Sequence, residues 1–153
     1  AVDPAASALR LAPIHTLERP ALRVAAAPPD LQAADYLIVS HPQFADRLGA
    51  LQALQQQRGY RVRVVRTDAI YALGDHEPDP ALIRQFIAAI APRFVLLVGG
   101  DSYDYADHLG LGSMSFVPTF YRTIDPVVRF AASDHPLVDA NADGLPERAL
   151  GRL

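Results

Sequence analysis

Residues 79–101 read DPALIRQFIAAIAPRFVLLVGGD, and this stretch decides the fold. Asp79 can cap a helix that has Pro80 at its first position. Large apolar residues then recur at steps of one and three, which predicts one buried helix face, and Pro92 ends the helix. The uninterrupted apolar run at 94–98 predicts a strand that is buried on both faces. A helix followed at once by such a strand is typical of an α/β unit with a parallel sheet.

Two further strands and a helix precede this unit. Residues 36–39 (YLIV) predict a buried strand. Residues 60–66 (YRVRVVR) alternate in period two, which predicts a strand whose arginines face water along one face or edge. Between them, apolar residues at steps of four and three predict one helix face: Phe44, Leu48, Leu51 and Leu54. Gly59 lies just past its end, where a C′ glycine belongs.

The order of these elements predicts a three-layer α/β fold with a mostly parallel sheet. Strands separated by helices imply right-handed crossovers. The arginine-bearing second strand is the natural edge, and residues 117–122 are expected to form the fourth strand, which gives the spatial order 2-1-3-4 of flavodoxin-like and caspase-like folds. Residues 147–153 are expected to begin a fifth strand or to run along the sheet edge.

Length and composition predict one soluble globular unit with a preceding leader. The chain has 153 residues and a net charge of -3, which argues against nucleic acid as a partner. Its apolar runs are too short to span a membrane. Residues 1–32 are rich in alanine and proline and are expected to be a leader or linker, while residues 33–153 form the domain. Because the chain begins at Ala1 rather than Met, we expect an expressed fragment or a processed product, with any signal peptide outside it.

Polar clusters follow the first and third strands, where an open parallel sheet places its ligands. Ser40 and His41 follow the first strand, but adjacent strand residues point opposite ways, which makes them poor partners for acid–base chemistry. His41 by itself could act as a catalytic base, and the alternative is a loop histidine that packs near Pro42. Gly99-Gly100 lacks the third glycine of a dinucleotide loop, and the chain has no lysine for a phosphate loop. A receiver-like phosphorylation site would need acidic residues where Ser40 and His41 stand.

An acidic turn near the end of the sequence predicts a calcium site. Asp139, Asn141 and Asp143 offer oxygen ligands at alternate positions, with Gly144 at the sixth position for the sharp turn. Leu150 stands at the twelfth position, where a complete EF-hand loop has a bidentate acid, and Glu147 at the ninth position contributes at most partly. The alternative is a tight turn stabilised by its own Asx side chains.

Four segments in order resemble the gingipain-type cysteine peptidases of family C25. They are ADYLIVSHPQF at 34–44, DPALIRQF at 79–86, VLLVGGDSYD at 95–104, and the acidic turn with its LGR strand within 133–153. The resemblance implies a caspase-like catalytic domain of two subdomains, of which residues 33–153 are the N-terminal one. It places the catalytic histidine and cysteine in a second, C-terminal subdomain beyond Leu153. The chain has no cysteine, which fits this division.

The resemblance also implies roles for single residues and for the whole protein. Glu147 aligns with the acidic member of the triad, which orients the catalytic histidine, and Asp139, Asn141 and Asp143 remain the Ca²⁺ candidates. The expected function is that of a fragment, inactive alone, of a secreted or cell-surface cysteine endopeptidase acting on proteins or peptides. Two alternatives stay open: a sortase-like transpeptidase of the same family, and a non-catalytic flavodoxin-like binding domain.

Overall fold

The computed structural model describes residue 31 and residues 33–153. Apart from Leu31, the predicted leader lies outside these residues. Six strands are described: β1 (Tyr36–Ser40), β2 (Val62–Arg66), β3 (Phe94–Val98), β4 (Phe120–Arg122), β5 (Ala131–Ser133) and β6 (Ala149–Arg152). The α-helices are α1 (Pro42–Ala45), α2 (Gly49–Gln57), α3 (Thr67–Tyr71) and α4 (Pro80–Ile90), and a 3-10 turn spans His135–Leu137. None of the described helices could cross a membrane.

Four strands form one parallel sheet in the order β2-β1-β3-β6. The predicted parallel α/β sheet is confirmed, and the arginine-bearing β2 lies at its edge as predicted. The identity of the fourth strand was wrong, because β6 takes that place. Pro118 has no N–H to donate, so residues 117–122 could not pair along their whole length as an inner strand. The part after it, β4, pairs instead with β5 in a separate antiparallel sheet.

Helices cover both faces of the parallel sheet and make the three predicted layers. Alternate residues of β1 and β3 point to opposite faces, as the pleat requires. One core lies between the sheet and helices α3 and α4, and its largest fully buried side chains include Leu37, Ile70, Leu82, Ile83, Ile87 and Leu97. A smaller core on the other face joins Ile38, Val62 and Leu96 to Leu48, with Phe44 and Leu51 packed against it. Each fully buried side chain of this size contributes about 2 kcal/mol.

Local signals at the ends of α4 are confirmed. The Asp79 carboxylate accepts a hydrogen bond from the Ala81 N–H at 2.8 Å, and Pro80 occupies the first turn. At the other end Ala91 adopts the left-handed conformation with φ 53°, directly before Pro92. The amino end of α4 thus lies at the carboxyl edge of the sheet, because the helix returns the chain to the start of β3.

The predicted helix between β1 and β2 is divided into α1 and α2. The Arg47 N–H bonds to the Phe44 carbonyl at 3.0 Å, and the Leu48 N–H bonds to the Ala45 carbonyl at 3.3 Å. These bonds span three residues rather than four, so they tighten the chain into a turn between the helices. Gly59 lies past the end of α2 with φ 90°, as predicted.

Candidate functional site

The carboxyl ends of β1 and β3 lie side by side. Ser40 ends β1 and is in register with Val98 at the end of β3. The buried Ser40 hydroxyl donates to the His41 carbonyl at 3.0 Å. The His41 Nδ1 accepts the Gln43 N–H at 3.2 Å and caps α1. The side chains of Ser40 and His41 therefore form no nucleophile–base pair, in agreement with the argument from strand alternation.

Gly99 permits a close approach of two chain segments at the same edge. Its φ is 137°, and a Cβ placed there would lie 2.6 Å from the Cβ of Phe116. The Phe116 ring in turn contacts the His41 ring edge-on, with 5.0 Å between the centroids. Gly99, which has no Cβ, thus makes room for a phenylalanine whose ring packs against His41.

Asp101, next in the loop after β3, receives three hydrogen bonds. The Ser115 hydroxyl donates at 2.8 Å, the Tyr121 hydroxyl at 2.6 Å and the Thr119 N–H at 3.3 Å. Burial raises the pKa of the Tyr121 hydroxyl, and its hydrogen bond to Asp101 raises that pKa further. Tyr121 therefore keeps its proton at neutral pH and acts as a donor. The carboxylate of Asp101 fixes the loop to β4.

Arg152 ties together the segments that meet at the carboxyl edge. Its guanidinium pairs with both carboxylate oxygens of Asp134, at 2.8 and 2.5 Å. Its Nη1 also donates to the carbonyls of Gly99 at 2.7 Å and of Val117 at 2.8 Å. Burial raises the pKa of Asp134, but the hydrogen bonds from Arg152 and Thr119 and the charge of Arg152 together outweigh burial, and the net pKa lies below its usual value. One side chain thus joins β6 to three other segments.

The predicted metal loop brings three carboxylates together at the opposite edge of the sheet. Ligand oxygens of Asp139, Asp143 and Glu147 all lie within 4.8 Å of one another. Asp139 is only 2% exposed, and its Oδ2 accepts the Gly144 N–H at 3.0 Å. Its Oδ1 is buried and has no hydrogen-bond partner. A buried carboxylate oxygen without a donor is costly, unless a cation binds it.

Asn141 and Glu147 hold this loop by hydrogen bonds of their own. The Asn141 side chain accepts the Asp143 N–H at 2.9 Å and donates to Asp143 Oδ2 at 3.1 Å. Glu147 Oε2 accepts the Ala140 N–H at 2.8 Å. The predicted Asx turn is therefore present, and it arranges the same oxygens that the calcium hypothesis uses.

The predicted triad residue, Glu147, lies far from the carboxyl edge along β6. It precedes β6, whose first residue, Ala149, donates to the carbonyl of Arg93 just before β3. Glu147 is thus beside the amino ends of the strands, whereas His41 and Asp101 are beside the carboxyl ends. Its role in a triad stays a prediction. Within the described residues, Glu147 contacts the acidic loop and forms an ion pair with Arg148, whose Nη1 lies 3.7 Å from its Oε2.

Sequence reasoning missed the ion pair between Asp134 and Arg152, and it gave Glu147 at most a partial role as a metal ligand. The ion pair joins residues separated by 18 positions, and no local spacing signals it. Glu147 had a usable signal, because a proline-containing turn after Gly144 can carry the ninth position of the loop back to its first residues.

Comparisons with known proteins agree with the resemblance seen in the sequence. The model of peptidase family C25 matches residues 29–153. The solved structure of dimeric latent PorU from Porphyromonas gingivalis is similar in fold, with a TM-score of 0.58 and 19% identity. The likeness covers 78% of this chain but only 14% of that chain, so the present chain spans a small part of its length. Among curated proteins, the sequence has no match.

Proposed function

Since the chain belongs to peptidase family C25, we propose that it is the N-terminal subdomain of a caspase-like catalytic domain in a cysteine endopeptidase. Residues 33–153 would form this subdomain, and a following C-terminal subdomain would supply the nucleophile. The whole protein would cleave proteins or peptides outside the cytoplasm. Recovery of its activity only in the medium or at the cell surface would support this location, and recovery in the cytosol would refute it.

The observation that supports the proposal is that a chain matched by the family C25 model contains no cysteine. Its parallel sheet nevertheless has a carboxyl edge held by side-chain hydrogen bonds. Peptide-bond cleavage by this family's chemistry needs a thiolate, with a histidine to manage the protons. Here the only serine at the end of β1, Ser40, is buried and donates to a backbone carbonyl. β6 forms one edge of the described parallel sheet, so strands of a second subdomain could continue the sheet there.

Chemical labelling of the parent protein tests whether a second subdomain supplies the nucleophile. The parent protein would be treated with a thiol-alkylating peptide analogue, and the modified residue would be located by mass spectrometry. We expect loss of peptidase activity together with one modified cysteine beyond Leu153, and no activity for the 153-residue chain alone. Activity that survives complete alkylation would refute the proposal. An added amine acceptor in the same assay separates hydrolysis from acyl transfer by product mass.

We also propose that the loop at 139–147 binds Ca²⁺ for a structural purpose. The unpartnered oxygen of Asp139 and the convergence of Asp143 and Glu147 support this site. Ca²⁺ prefers oxygen ligands, including carboxylates, amide oxygens and backbone carbonyls. Asp139, Asp143 and Glu147 would be ligands, and Asn141 is the further candidate from the sequence. The bound ion would neutralise the carboxylates and fix the entry into β6.

Calorimetry with Ca²⁺ on the full chain tests the site, with thermal unfolding as a second readout. We expect Ca²⁺ binding and a rise in Tm that grows with its concentration, since a ligand bound only to the native state stabilises it. Asp139→Asn should abolish both effects, whereas Asp46→Asn, a change at an exposed carboxylate in the turn after α1, should preserve them. An unchanged Tm and no binding heat for the wild-type chain at saturating Ca²⁺ would refute the site.

The competing roles of Glu147 can be separated in the parent enzyme. If Glu147 is a calcium ligand, Glu147→Gln weakens Ca²⁺ affinity, and activity returns at high Ca²⁺. If it orients the catalytic histidine, the substitution lowers kcat at every Ca²⁺ concentration and leaves the affinity for Ca²⁺ unchanged. We expect the first result, because Glu147 lies at the amino edge of the sheet beside Asp139.

A further inference from the structure

A groove with a volume of about 1000 Å³ opens between the amino end of α4 and the β4–β5 sheet. We call it the aromatic groove, and it is defined by Pro78, Pro80, Tyr103, Phe120, Tyr121 and Phe130. Three of its rings contact one another: the centroids of Tyr103, Tyr121 and Phe130 are 5.2 to 5.9 Å apart. The Tyr103 and Phe130 residues are 61% and 63% exposed.

The chemistry of the aromatic groove suits an extended peptide that contains proline. Exposed apolar surface gathered in a concave site marks a binding surface more often than isolated exposed residues do. Aromatic-lined grooves bind proline-containing segments, which lose little conformational freedom because their extended form is already favoured. The lining also includes three acidic residues, Glu77, Asp79 and Asp104, against one arginine, Arg84. The ligand should therefore combine apolar and proline residues with a surplus of positive charge.

Residues 9–23 of the same chain, LRLAPIHTLERPALR, have this composition. They contain two prolines, several leucines, and three arginines against one glutamate. Leu31 precedes β1 at the amino edge of the sheet, and the groove opens at the carboxyl edge, about 17 Å away along a five-residue strand. Leu31 packs against the same core cluster as Phe120, and Phe120 also lines the groove. The eight residue steps from Arg23 to Leu31 can span at most about 28 Å.

We propose that residues 9–23 bind in the aromatic groove of their own chain. Pro13 and Pro20 would pack against the rings, and arginines of the segment would face the acidic side. Because the two parts are already linked, binding needs only a modest intrinsic affinity, as an attached segment is present at millimolar effective concentration. Residues 9–23 precede the family match, which begins at residue 29, so this inference does not depend on the peptidase proposal.

Paramagnetic relaxation on the full chain tests the proposal. The chain has no cysteine, so Ala12→Cys provides a single site for a nitroxide label. We expect the backbone amide signals of Tyr103, Tyr121 and Phe130 to lose most of their intensity and to regain it when the label is reduced. Phe130→Ser should restore the intensity of the Tyr103 and Tyr121 amides with the label still oxidised. Val127→Ser is the matched control, because Val127 is 89% exposed near the same hairpin but does not line the groove.

Three results would overturn the proposal. The first is an oxidised label that leaves the amides of the groove at full intensity. The second is an equal effect of Val127→Ser and Phe130→Ser, which would indicate non-specific apolar association. The third comes from mixing a labelled chain without ¹⁵N with an unlabelled ¹⁵N chain. Loss of intensity in that mixture equal to the loss within one chain would assign the groove to a second copy.

Discussion

Replacing Arg152 with methionine should destabilise the domain by about 3 kcal/mol. The change keeps the aliphatic bulk of the side chain but removes the cation that pairs with Asp134 and donates to two backbone carbonyls. Loss of one partner from a buried ion pair costs about 3 to 5 kcal/mol. The side chains of Arg152 and Asp134 are 21% and 27% exposed, so the lower end of that range applies. For a chain of this length, the Tm should fall by roughly 6 to 12 °C.

Denaturant unfolding at pH 7 measures this cost, with Arg47→Met as the matched control. Arg47 is exposed, and its replacement should change the free energy of unfolding by less than about 0.5 kcal/mol. Asp134→Asn combined with Arg152→Met should cost less than the sum of the two single changes, because the double variant leaves no lone charge. A loss below about 1 kcal/mol for Arg152→Met, the value for a solvent-exposed ion pair, would refute the assigned role.

The pH dependence of the same variant provides an independent check. The folded-state pKa of Asp134 is lowered, so its contribution to stability is complete above the ordinary carboxyl pKa of about 3.9 and is lost as the pH falls through the folded value. The stability difference between wild type and Arg152→Met should therefore narrow as the pH falls below about 3.9, because Asp134 is protonated in the unfolded chain before it is protonated in the folded wild type. A difference that stays constant down to the acid transition would contradict the ion-pair explanation.

Three further changes have defined outcomes. Gly99→Ala should lower the free energy of unfolding by about 3 kcal/mol. Its φ of 137° strains any side chain, and a Cβ there would lie 2.6 Å from the Cβ of Phe116. Gly100→Ala, which has open space around it, is the control in the same denaturant experiment. Asp79→Ala should cost about 1 kcal/mol by removing the cap of α4, measured as the shift in denaturant midpoint. Arg61 hydrogen bonds lower the pKa of Asp35 to about 2, and NMR titration should show it rising towards its usual value in Arg61→Gln; an unchanged midpoint would contradict that assignment.

The elements that were predicted correctly have local causes. The capping residue, the prolines and the helical spacing of α4 lie within one short segment, and so do the apolar runs of β1 and β3. Both strands are buried on both faces, and each therefore appears as a continuous apolar run. The arginines of β2 indicated an edge strand, because a strand with one side open to water can carry charged residues.

The fourth strand was missed because its cause is not local. β6 reads ALGR, with one large apolar residue and no β-branched residue, which gives little strand signal. Its place is fixed by pairing with β3 and by the Arg152 contacts to Gly99, Val117 and Asp134. Residues 117–122 have the stronger strand pattern, but Pro118 limits pairing and only the end of that run forms a strand. Tertiary contacts thus outweigh local propensity at this position.

The acidic loop and the Arg152 ion pair occupy the two ends of one short strand. Glu147 and its neighbours precede β6 at the amino edge, and Arg152 ends β6 at the carboxyl edge. β6 has no fully buried side chain, so its backbone pairing with β3 and these polar groups at its two ends hold it in the sheet. A cation at the loop would stabilise the same strand that carries the arginine. We therefore propose that the acidic turn and Arg152 together attach β6 to β3, at the edge where the proposed second subdomain would continue the sheet.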